Sequence, residues 1–94
     1  MTNSEPINTL PCIRCDKVLE SVMPGEVNQP YSGTTFTSHG HYGSTIFDPM
    51  SGIFLELNIC DDCLYEVAQK KAILVAEPAP RPTPEYKVWE PRGR

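Results

Sequence analysis

The four cysteines of the chain fall in two pairs of one form, Cys12-Ile13-Arg14-Cys15 and Cys60-Asp61-Asp62-Cys63. Two intervening residues let one tight turn deliver both sulfurs to a single ion. Two such turns supply the four thiolates that tetrahedral zinc prefers. A site filled by four sulfurs keeps no open position for water or substrate, so it folds a chain and catalyses nothing. An iron–sulfur site would use the same donors. A redox dithiol would account for Cys60 and Cys63 and leave Cys12 and Cys15 unexplained, and structural disulfides belong to exported chains. The expectation is one structural Zn²⁺ ion held by Cys12, Cys15, Cys60 and Cys63.

Other chemistry is sparser. His39 and His41 would share one face of a strand, but no third and fourth ligand accompanies them. Ser32, Thr34, Thr35, Thr37 and Ser38 lie in a stretch without a phosphate-loop or dinucleotide pattern. No nucleophile–base pair can be named, and the thiols are already assigned. The chain is therefore expected not to be an enzyme.

The elements that must position the cysteines have little material to work with. In 94 residues, ten are proline and six glycine, and a core of this size commonly needs a metal to hold it together. Residues 1–10 read as a flexible leader, 11–77 as the folding unit, and 78–94 as a proline-rich, disordered tail. Val18, Leu19 and Val22 suit a short strand after the first pair. Residues 24–41 form a long polar connection with turn punctuation at Pro24-Gly25 and Ser32-Gly33. A hairpin is expected from Tyr42–Phe47 and the alternating run Ile53, Leu55, Leu57 and Ile59, joined across Asp48–Gly52. In that pattern Phe54, Glu56 and Asn58 face away from the apolar residues, and Tyr42, Phe47 and Phe54 pack in or across the hairpin. A helix follows from the second cysteine pair, with Leu64, Val67, Ala68, Lys71 and Val75 on one stripe. Asp61 and Asp62 sit at its positive end and Lys70 and Lys71 near its negative end.

A cysteine knuckle, a hairpin, and a second pair in the first turn of a helix resemble the treble-clef and zinc-ribbon class of four-cysteine zinc fingers. Cys12, Cys15, Cys60 and Cys63 carry the resemblance, with the hairpin at 42–59 and the helix from about 61, over roughly residues 11–76. It implies a small α+β metal-bound domain whose helix start donates backbone N–H groups to the Cys60 and Cys63 thiolates. The chain departs from the pattern in its long insertion before the hairpin. It also has Asp16 where glycine commonly follows the second knuckle cysteine. The stretches Gly40–Pro49 and Leu57–Leu64 also look like small proteins of bacteria and their phages, a likeness that carries no activity with it.

Charge narrows the partner. Residues 1–77 hold four basic groups against ten acidic ones, whereas 78–94 hold four against two. Nucleic-acid binders show a basic stripe, and this unit shows the reverse. No run of residues is long and apolar enough for a bilayer span, and the start lacks the basic and apolar regions of an export signal, so a cytoplasmic setting is expected. Tyr31, Phe36, His39 and His41 in the loop, and Tyr86 and Trp89 in the tail, are the candidate contacts. The reading is an adaptor or inhibitor that binds a protein with a basic surface. The alternative is a nucleic-acid-binding zinc ribbon.

Overall fold

The computed structural model describes residues 9–92; residues 1–8 of the expected leader lie outside the described residues. The chain divides into two compact units, one ending at Asp61 and the other beginning at Asp62.

In the first unit, β1 (Gly33–Ser38) pairs antiparallel with β2 (Leu55–Cys60), with Phe36 opposite Leu57 and Thr35 opposite Asn58. The expected hairpin is therefore corrected. β2 lies where the alternation placed it, but its partner comes from inside the supposed loop at 24–41, and Tyr42–Phe47 is not a strand. Thr34, Thr35, Phe36 and Thr37 are good strand formers. In the competing segment the Ser44 Oγ accepts the N–H groups of Ile46 and Phe47 at 3.2 and 2.9 Å. Such local bonds take backbone donors away from a ladder. Gly40 closes the neck of this segment at φ +100°. A Cβ there would come within 2.9 Å of the Phe47 carbonyl oxygen and the Pro49 ring.

The strand expected after the first cysteines is reduced to a short ribbon. Val22 N donates to Gln29 O at 2.9 Å and Tyr31 N to Glu20 O at 2.7 Å. Asn28, with φ +55°, turns the chain at the end of that ribbon. Leu19, Ile59 and the cysteines supply most of the buried apolar surface, a small core.

β2 runs directly into α1 (Asp61–Ala68), whose buried residues are Cys63 and Ala68. The helix is shorter than its apolar stripe suggested. Gln69, Lys70 and Lys71 close it with bonds to residues three earlier, and Lys71 takes the left-handed conformation at φ +56°. This is a common way to end a helix and satisfy its last carbonyls.

In the second unit, Val75 belongs not to α1 but to β3 (Leu74–Glu77), which pairs antiparallel with β4 (Glu85–Val88). The expected disordered tail is corrected here as well. Prolines occupy the connection 78–84, where no ladder bond is needed, and the apolar segment beyond them returns as a strand. Trp89 N extends the ladder by donating to Ile73 O at 2.7 Å. No helix among the described residues is long and apolar enough to cross a membrane.

Candidate metal centre

The knuckle is built by its own backbone. Asp16 N donates to Cys12 O and Cys12 N to Lys17 O, both at 2.9 Å. The tight reversal needs one residue in the left-handed region, and Asp16 supplies it at φ +64°. Asp tolerates that region better than most residues, which explains how it stands where glycine is usual. Ile13 N then donates to Asn58 O at 2.8 Å, and Cys12 bridges Asn58 in parallel. The knuckle is thus seated along the edge of β2, which ends in Cys60. Cys63 follows in the first turn of α1, and Asp61 N is tied back to Ser32 O at 2.8 Å.

This seating brings the four thiols together: their sulfurs all lie within 4.8 Å of one another. None of the four forms a disulfide, and Cys15 and Cys60 stand 3.9 Å apart, sulfur to sulfur. A tetrahedral ion with Zn–S bonds of about 2.3 Å needs sulfur–sulfur edges of about 3.8 Å. The donor set and its spacing therefore suit one metal ion. Cys12, Cys60 and Cys63 are buried and Cys15 is exposed.

Burial of Cys12 opposes its thiolate. Backbone N–H groups of Cys60, Cys15 and Arg14, with help from the Cys15 thiol, outweigh that and lower the Cys12 thiol from 9.0 to about 6. The Arg14 N–H reaches the Cys12 sulfur at 3.4 Å. A thiol in that state is prepared for a metal ligand's role, since the thiolate is the ligand.

Asn58 is the residue that sequence reasoning missed. It is fully buried. Its Nδ2 donates to Leu10 O at 2.9 Å and to Asn28 Oδ1 at 2.7 Å, and its Oδ1 accepts the Thr35 hydroxyl at 2.7 Å. Asn28 in turn accepts from Leu10 N at 3.2 Å and donates to Glu56 Oε1 at 2.8 Å. One amide side chain thus ties the approach to the knuckle, the ribbon turn and β1 onto β2. A satisfied buried network of this kind specifies one arrangement of its neighbours. The signal was present in the sequence. Residues two apart on a strand share a face, so Asn58 had to lie on the face of Cys60.

The other candidate residues are not members of the thiol group. Tyr31 and Tyr86 are exposed, Phe36 is partly so, and Trp89 is half-buried. His39 lies against Phe54 with ring centroids 5.2 Å apart, and His41 stacks on Tyr42 at 4.5 Å. The His41 Nδ1 also accepts the Gly43 N–H at 3.0 Å. Among the described residues, neither histidine joins a group able to hold a metal. The expected packing of Tyr42 and Phe54 is corrected: Tyr42 is almost wholly exposed and Phe54 half so.

The fold and the site define a small α+β domain with a four-cysteine cluster able to coordinate a metal ion. No family model, curated protein or solved structure matches the chain.

Proposed function

We propose that the chain is a non-enzymatic zinc-binding interaction protein, an adaptor or inhibitor, with a treble-clef-like domain as its rigid frame. Zn²⁺ is the ion best suited to four thiolates at this spacing. Its part is structural: it would hold knuckle, strand and helix start together, and no reaction is assigned to it.

The observation that carries the reading is the contrast between a thiol cluster with three of its four cysteines buried and large side chains left exposed elsewhere. Tyr31 belongs to the loop, and Tyr42, Ile46 and Met50 stand almost bare on the segment between β1 and β2. That segment is tied by its own bonds, Ser44 N to His41 O at 2.7 Å among them, so these side chains are presented and not merely loose. Tyr86 and Trp89 on and beyond β4 add a second set. Aromatic groups of this kind are favoured anchors in protein interfaces. The acidic balance of the frame favours a partner with a basic surface and speeds encounter with it.

The test is affinity capture from the source cell with the full, metal-loaded chain. The captured protein is then purified and titrated at low and high salt, in parallel with DNA and RNA. Salt-sensitive binding to one protein and none to nucleic acid is the expected result. Tight binding to either polymer instead would establish the zinc-ribbon alternative.

A further inference from the structure

β2 changes character along its length: Leu55, Glu56 and Leu57 are exposed, and Asn58, Ile59 and Cys60 are buried. Leu55 and Leu57 share one face of its exposed half. The opposite pairing of Phe36 with Leu57 places Phe36 there too. Ile13, next to Cys12 on the strand-like edge, joins them. These four side chains are between 39 and 63 % exposed. They line a depression of about 380 Å³ with Thr37, Ser38 and Glu56. A second depression of about 330 Å³ continues from Ile13 and Leu57 to Leu10, Pro11, Asp16 and Glu56. A contiguous apolar surface of this kind on a small domain marks an interaction site.

Charge decides what it accepts. Neither depression is lined by a basic residue, and Asp16 and Glu56 stand among their walls. Residues 9–61 carry six acidic and two basic side chains. A second copy of the same face would bring Glu56 and Asp16 against their like. Resting on the interaction-protein reading, we infer that the Ile13–Phe36–Leu55–Leu57 face is the docking surface, and that its occupant is a protein segment alternating apolar with Lys or Arg side chains. The apolar groups fill the two depressions, and the basic groups meet Asp16 and Glu56.

A synthetic peptide alternating leucine and lysine is titrated into the ¹⁵N-labelled, metal-loaded full chain. Matched peptides with glutamate for lysine, and with serine for leucine, serve as controls. Amide shifts should centre on Ile13, Phe36, Leu55 and Leu57. Leu55→Lys should weaken the leucine–lysine peptide about tenfold, the loss of one apolar anchor, and both control peptides should bind at least that much more weakly. Phe36→Ser gives the same readout should Leu55→Lys lose its metal. Equal binding of the serine–lysine peptide, or shifts confined to the 39–54 segment, would overturn the assignment. So would the same shifts on concentration without peptide, since a second copy would then be the occupant. A captured basic partner that binds Leu55→Lys as well as the unaltered chain also overturns this face while leaving the interaction reading intact. Failure to capture any partner, with the peptide results as expected, sinks that reading and leaves the face.

Discussion

The two hairpins of this protein have the same antiparallel form and are held by opposite means. β1–β2 carries Asn58 and Cys60, and its inner face is organised by buried amide groups and thiols. In β3–β4 every residue of β4 is exposed. Apart from its backbone ladder, that hairpin is laced by two surface ion pairs, Lys87 with Glu77 at 3.3 Å and Lys71 with Glu90 at 2.9 Å. Buried groups that lose a partner keep the cost of desolvation, whereas exposed ones recover water. The first hairpin should therefore respond to single substitutions as a unit, and the second should absorb them.

The largest effect should come from the cysteines. Replacing Cys60 by Ser, or stripping the metal with a chelator, should unfold the first unit, since structural zinc supplies on the order of 10 kcal/mol in small fingers. Loss of the cooperative thermal transition, with metal content measured alongside, checks this. An unchanged melt would erase the contrast between the hairpins. Proton competition sharpens the same point. The Cys12 thiol is lowered in the folded state, from 9.0 to about 6. For the thiol alone the contribution to stability is full above pH 9 and lost as pH falls toward 6; a bound ion competes with the proton for the same sulfur and carries the loss to lower pH. Urea midpoints measured across that range should fall in that direction.

Asn58→Ala comes next. It leaves Leu10 O, Asn28 and the Thr35 hydroxyl without their shared partner, at about 3 kcal/mol, read as a lowered melting temperature with the metal still bound. Gly40→Ala should follow at about 1–2 kcal/mol, because the added carbon meets the Phe47 carbonyl and the Pro49 ring. Its amide shifts should be confined to the 39–54 segment. The smallest effect is expected from Glu90→Gln. The bond to Lys71 and its charge hold the Glu90 carboxyl below its usual value and the Lys71 ammonium above its own, but both groups are exposed. The melt should not move measurably, and raised salt should mimic the substitution. A large loss there would mean that surface charge holds β3–β4 after all.

Some of this was legible in the residues alone. The cysteine spacing named the four thiols that come together, and the alternating run from Ile53 to Ile59 pointed to a strand leading into a helix from about residue 61. The strand's partner was not legible. Both 33–38 and 42–47 hold strand-forming residues, and the choice turned on local hydroxyl bonds at Ser44 that no periodicity records. The end of α1 was likewise hidden, because the stripe through Val75 suits a helix until β4 offers that segment a ladder.

Residue type and local spacing suffice for the donor set: four sulfurs in two short turns, a choice of atoms that needs no knowledge of the rest of the chain. Which half of β2 is covered, and hence that Asn58 and Ile59 are buried while Leu55 and Leu57 are left outside, follows from packing in three dimensions. Alternation along a strand treats its two ends alike. The knuckle lying along the edge, with its backbone bond from Ile13 to Asn58, selects the half that is covered.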